Sequence, residues 1–254
     1  MLSLGLFKLH SSEGVAMLST PGKPRRRRVI AYFDGYNLYH GIRDKGWNRF
    51  LWLDLPRLAG SFLLDYQDLI LTKYFTARIS SPESKRKRQS DYLEALEAHC
   101  GASLGMYYGR YQSEPWTCSS CGKTVAVPHE KKTDVNIAVE LMTDAFRDEF
   151  DTALLVSADS DLVPPILAIK RLFPEKRIVI AFPPARWCVE LKNEAHVCIP
   201  IGRAKLSASQ LPEVVTKIGG QQLLRPSKWS PPQETGFGQK LLSALEPDPD
   251  DAPE

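Results

Sequence analysis

Short β-branched and aromatic runs alternate along the chain with stretches whose apolar residues return every three or four positions, the periods of strands and of amphipathic helices. Val29-Ile30-Ala31-Tyr32-Phe33 is the first run, and further strands are predicted over 69–77, 103–111, 153–156, 177–181 and 197–201. Helices are predicted over 38–43, over 53–62 with Pro56 in the first turn, and from Ser81-Pro82-Glu83 to about His99, with Tyr92, Leu93 and Leu96 on one face. Thr133 is placed to cap a helix carrying Val135, Ile137, Ala138, Leu141 and Met142, and helices over 162–172 and 186–193 complete the alternation. That alternation predicts a three-layer α/β fold, a mostly parallel central sheet with helices on both faces. One stretch breaks the rhythm: 112–130 holds Pro115, Pro128, a cysteine pair and a short β-branched piece, and reads as an inserted hairpin. Residues 1–27 read as a flexible basic arm and 28–203 as the domain. In the extension 204–254, residues 209–215 add one last ordered turn, and the Pro-rich, acidic part beyond Gly219 is expected to be disordered.

Composition narrows the class. A chain of 254 residues, 43% hydrophobic, suffices for one good α/β core with tails. Its formal charge of +3 hides an asymmetry, because Glu246, Asp248, Asp250, Asp251 and Glu254 stand in a stretch without a base. Setting those five acids aside leaves +8 on the remainder, a body that attracts polyanions such as nucleic acid. Five cysteines, with only Cys118 and Cys121 close together, do not make a secreted disulfide framework, and a reducing cytoplasm fits better. No run reaches the ~18 apolar residues of a membrane span. The first ten residues lack a basic region and a cleavage site, so no targeting signal is read there, and Met17 is a second candidate start.

The candidate chemistry lies in three acidic clusters. Asp34 ends the first apolar run in Phe33-Asp34-Gly35-Tyr36-Asn37, Asp159 and Asp161 follow Ala153-Leu154-Leu155-Val156, and Asp134 lies in the first turn of the helix begun by Thr133. Open parallel sheets bind ligands just beyond the carboxyl ends of their strands, so these acids are expected to converge. Gathered carboxylates repel one another unless a cation lies among them, and all-oxygen donors suit Mg²⁺ or Mn²⁺. Such ions neutralise phosphoryl oxygens and supply hydroxide near neutral pH, which predicts a metal-dependent phosphodiester-cleaving site. Asp34, Asp134, Asp159 and Asp161 are its predicted ligands; Asn37 would orient a carboxylate or water, and Ser157 or Ser160 would hold outer waters. Each piece also has a plainer reading: Asp34-Gly35 as a tight turn, Asp134 as a first-turn acid, Asp159 or Ser160 as a helix cap. An aspartyl-phosphate phosphatase would need Asp where Tyr36 stands, and a topoisomerase-primase site would need Glu in place of Asp34. No glycine-rich dinucleotide fingerprint follows the first strand.

Three motifs in order, Val29 to Leu38, Glu130-Lys131-Lys132-Thr133-Asp134-Val135-Asn136-Ile137-Ala138-Val139, and Leu155-Val156-Ser157-Ala158-Asp159-Ser160-Asp161-Leu162, resemble the NYN-domain branch of the PIN-like ribonucleases. The resemblance runs from about Arg28 to Ile201. It implies a PIN-like sheet, a divalent metal on Asp34, Asp134, Asp159 and Asp161, and RNA as substrate. The leading expectation is therefore a cytoplasmic endoribonuclease. The competing ones are an RNA-binding or scaffold protein of the same fold, and a nuclease acting on DNA.

Two further features bear on partners. Cys118-Ser119-Ser120-Cys121 offers two thiolates at zinc spacing, and a tetrahedral Zn²⁺ site would need His129, His99 and Cys100, or the same pair from a second chain in a homodimer. The competing reading is two free thiols in a hairpin; Cys188 and Cys198, in apolar stretches, read as packing residues. Arg25 to Arg28 and Lys85-Arg86-Lys87-Arg88 are basic runs, ordinarily solvated faces. The second run is expected on the same sheet edge as the acids, where it would track RNA, with Lys131 and Lys132 near the scissile phosphate and Tyr36, Tyr39 and Trp47 stacking on unpaired bases.

Overall fold

The computed structural model describes residues 25–117 and 119–231. Its first half alternates β1 (Arg27–Asp34), α1 (Gly35–Asp44), α2 (Leu55–Gly60), β2 (Gln67–Thr76), α3 (Glu83–Cys100) and β3 (Leu104–Tyr108). A hairpin of β4 (Arg110–Thr117) and β5 (Thr124–Lys131) follows, then α4 (Thr133–Phe146), β6 (Thr152–Val156), α5 (Val163–Leu172), β7 (Arg177–Phe182), α6 (Val189–Glu194) and β8 (Val197–Pro200). The chain continues through α7 (Arg203–Ala208), β9 (Val214–Thr216) and β10 (Gln222–Leu224) to a 3₁₀ turn at Ser227–Trp229.

The central sheet has the order β3-β2-β1-β6-β7-β8, and every pairing in it is parallel. The order reverses between β1 and β6, so the chain leaves the sheet's centre in opposite directions on the two sides and opens a crevice at their carboxyl ends. Successive β1 residues point to opposite faces. Val29, Ala31 and Phe33 pack with Leu38, Ile42, Leu58, Leu93 and Leu96 of the α1–α3 layer. Ile30 and Tyr32 pack with Ile137, Leu141, Ile166 and Leu191 of the α4–α6 layer. A strand buried on both faces reads as the unbroken apolar run seen in the sequence.

Three expectations change. β1 begins at Arg27, within the arm expected over 1–27, and includes Arg28; residues 1–24 lie outside the described residues. Thr133 does not cap α4: Lys132, at φ 81°, occupies the cap position, and Thr133 is the first helical residue, with its hydroxyl buried and unpartnered. The extension past Gly219 is ordered through Trp229: β10 pairs with β9, and Val215, Leu223 and Trp229 join the α3 layer of the core. The acidic segment from Ser243 lies outside the described residues.

Candidate active site

Asp34 is the last residue of β1, at the order reversal, and is buried. Its Oδ1 accepts the backbone N–H of Asn37 at 3.0 Å, which also caps α1. Its Oδ2 accepts from the Asn37 side-chain amide at 2.7 Å and the Ser157 hydroxyl at 2.8 Å. Ser157 Oγ in turn accepts the backbone N–H of Asp159 at 3.1 Å, and Asp159 accepts that of Asp161 at 2.9 Å. One chain of hydrogen bonds therefore links the carboxyl ends of β1 and β6. Asn37 and Ser157 hold Asp34 in place, and Asp159 caps the 3₁₀ turn that presents Asp161 at the surface. Asp34 and Asp159 thus take the helix-capping roles expected on the plainer reading of each.

Gly35 makes this packing possible. A Cβ there would lie 2.6 Å from the Phe75 carbonyl oxygen and 2.9 Å from the Tyr74 ring, so only glycine lets α1 start directly against β2. Asp134 arrives from the other layer, half-buried in the first turn of α4. Burial, and then the charges of Asp34, Asp159 and Asp161, raise its pKa from 3.8 to about 6. Burial also raises that of Asp34, against the hydrogen bonds from Asn37 and Ser157. The four predicted acids thus share one electrostatic neighbourhood. Their donor set, oxygen only, suits a hard divalent cation. Among the described residues, however, no three His, Cys, Asp or Glu side chains are grouped closely enough to hold an ion as they stand.

The basic runs separate by place. Arg26 pairs with Asp68 at 3.0 Å, and Arg28 with Asp148 and Asp151 at 3.0 and 2.9 Å, so this run ties the amino end of β1 to its neighbours, on the sheet edge opposite the acids. In α3, Arg86 pairs with Glu83 and Lys87 with Asp91, both exposed, whereas Lys85 and Arg88 turn inward to line a cavity beside Tyr36. Lys132 is exposed at the start of α4; the Lys131 side chain lies outside the described residues. Trp47 packs edge-on against Phe50 and belongs to the core layer.

At the proposed zinc site, Cys118 and the His129 side chain lie outside the described residues, and Cys121 is free and exposed. His99 and Cys100 do not complete it. They end α3 at the amino edge of the sheet, where His99 lies 3.4 Å from Asp54 and the Cys100 thiol 4.0 Å from the same carboxylate, while the hairpin leaves the carboxyl edge after β3. Two aromatic residues of the site region escaped the sequence reading. Trp187 is 54% exposed in the loop after β7, its ring tilted against that of Phe182, and Trp229 reaches the α1–α3 cavity from the chain's far end. Only the exposure of Trp187 could have hinted at either, and exposure is not legible from a single tryptophan.

The parallel sheet, with helices on both faces and acids at its order reversal, matches the three-layer PIN-like fold expected from the sequence. The NYN domain model matches residues 28–202, and the chain belongs to that family. A protein from Pseudomonas putida named 6-hydroxy-3-succinoylpyridine 3-monooxygenase is 26% identical over 247 aligned residues, covering 82% of this chain and 76% of its own. A crystal structure of a protein of unknown function from Vibrio parahaemolyticus aligns with 71% of this chain and 96% of its own, at 15% identity and a TM-score of 0.46. No helix among the described residues is long and apolar enough to cross a membrane.

Proposed function

We propose that the protein is a metal-dependent endoribonuclease. Asp34, Asp134, Asp159 and Asp161 would hold Mg²⁺ or Mn²⁺, which supplies charge neutralisation at the phosphate and a hydroxide-generating centre. Asn37 and Ser157 orient Asp34, and their hydrogen bonds to its carboxylate work against the burial that raises its pKa. The observation that carries this reading is the placement of Asp34 and Asp159 at the carboxyl ends of β1 and β6, where the sheet order reverses, with Asp161 in the following turn and Asp134 near enough that, after burial, their charges raise its pKa. Free thiols at Cys100, Cys121, Cys188 and Cys198 are compatible with work in a reducing cytoplasm.

The test is a circular single-stranded RNA beside a matched circular DNA. Cleavage of the RNA circle with Mn²⁺ and none with EDTA is expected. An intact circle alongside degraded linear RNA would exclude endonucleolytic action, and binding without cleavage would favour the scaffold alternative. A second reading, oxygenation of a hydroxypyridine, rests on the Pseudomonas relative, whose match spans most of the chain. Incubation with 6-hydroxy-3-succinoylpyridine, dioxygen and reduced nicotinamide is expected to give no product; turnover would replace the nuclease reading.

A further inference from the structure

Beside the acids, between α1, the end of β2 and α3, lies a cavity of about 120 Å³. An engineered apolar cavity of about 150 Å³ takes up benzene, and drug-sized pockets begin near 300 Å³, so this space is on the scale of one six-membered ring. We propose that it receives a single unpaired pyrimidine base of the RNA, with Lys85 and Arg88 holding an adjoining phosphate. This rests on the ribonuclease reading and adds a substrate preference to it.

The walls are aromatic and preset. Tyr74 and Trp229 both meet Tyr92 edge-on, at 6.5 and 5.8 Å, and the Tyr92 hydroxyl donates to the Leu53 carbonyl at 3.1 Å. Gln89 fastens the linker that closes one side, donating to the Ala77 carbonyl at 2.8 Å and accepting from the Ile79 N–H at 3.0 Å. Side chains already held in place lose little freedom when a ring enters, and base–aromatic stacking contributes about 1–3 kcal/mol per base.

Position and charge identify the occupant. Gly35 and Tyr36, the two residues after Asp34, line the cavity, and Tyr36 is 42% exposed, so the cavity adjoins the start of α1 directly after Asp34. A base inside puts its own phosphate close to them. Lys85 and Arg88 are half-buried and three residues apart on one face of α3, lining the cavity, while Arg86 and Lys87 face outward in ion pairs. An uncharged ring compound would have no use for two cations in the lining; a nucleotide within a polyanion does.

The experiment measures binding of fluorescent oligouridine and oligoadenosine in EDTA, so that cleavage does not intervene, to the wild type, a Lys85→Ala/Arg88→Ala double variant and an Arg86→Ala/Lys87→Ala double variant. Both variants lose two positive charges from the same helix. Oligouridine is expected to bind the wild type at least about fivefold more tightly than oligoadenosine. The Lys85/Arg88 variant should lose about tenfold in affinity, and the outward pair less than about threefold. A 4-thiouridine oligonucleotide should photo-crosslink to peptides containing Tyr36, Tyr39 or Trp229. Equal losses in the two variants, equal affinity for the two oligonucleotides, or crosslinks confined to other peptides would each overturn the subsite. RNA bound and cleaved with any of those results removes the subsite and leaves the nuclease, no RNA binding in EDTA beside cleavage with Mn²⁺ likewise removes the subsite alone, and neither binding nor cleavage with Mn²⁺ removes both. Saturable binding of free hydroxypyridine in the cavity, without oligouridine binding, would assign it to a small molecule.

Discussion

At the scale of single residues, Asp134 sits where the fold disfavours its charge. Asp134 has a pKa of about 6 in the fold, against 3.8 for the free side chain. A folded-state pKa above the unfolded one means that protonated Asp134 favours the fold at low pH, and that this contribution is lost as pH rises through about 6. Asp134→Asn removes the titration. In EDTA at pH 7.5 the variant is expected to melt about 2–4 °C above the wild type, and the gap should shrink at pH 5, as differential scanning fluorimetry at both pH values would show. A wild type equal or superior at pH 7.5 would mean that the acids do not strain the fold. The four acids were legible because each stands at a strand end or helix start. Ser157 was legible only as a holder of water, since its hydrogen bond to Asp34 joins strands 123 residues apart.

Between elements, one buried network decides where α4 sits, and so where Asp134 sits. Lys73 of β2 reaches Glu140 and Asp144 of α4 at 2.7 and 2.6 Å, and the Tyr32 hydroxyl donates to Asp144 at 2.6 Å. Burial works against the Lys73 charge, yet its two carboxylate partners hold its pKa above the ordinary value. Lys73→Met leaves Asp144 charged and without its cation, so a loss of about 3–5 kcal/mol in urea unfolding is expected; adding Asp144→Leu should recover much of it. No recovery would mean that Lys73 packs α4 without acting through charge. Gly35→Ala tests the other layer: the Cβ overlaps Phe75 and Tyr74, and about 1–3 kcal/mol should be lost together with RNA cleavage. The elements themselves were readable from period and punctuation. The work of the basic runs was not, because a run of like charges says nothing about which side chains meet acids distant in sequence. Arg28 finds Asp148 and Asp151 only once β1 lies beside β6.

Across the whole molecule, the alternation of strands and helices was enough to predict one α/β sheet, and the reversal of strand order at β1 and β6 explains why acids more than a hundred residues apart lie at one edge of it. The C-terminal return was not readable: three-residue strands and a lone tryptophan carry no periodicity, and Trp229 is held by a cavity whose other walls lie between residues 35 and 92. Ending the chain at Gly219 removes the buried Leu223 and Trp229, and should cost at least about 3 kcal/mol and much of the oligouridine affinity. An unchanged melting temperature and affinity would show the return to be dispensable.

The central claim is that the four carboxylates form a metal-dependent RNA-cleaving site, and the most direct test is digestion of a labelled single-stranded RNA with Mn²⁺ by the wild type, Asp34→Asn and Asp134→Asn, each first shown to be folded. Cleavage by the wild type alone, abolished by EDTA and reduced at least about a hundredfold in both variants, is the predicted result. Undiminished cleavage by folded Asp134→Asn, or cleavage that persists in EDTA, would contradict it.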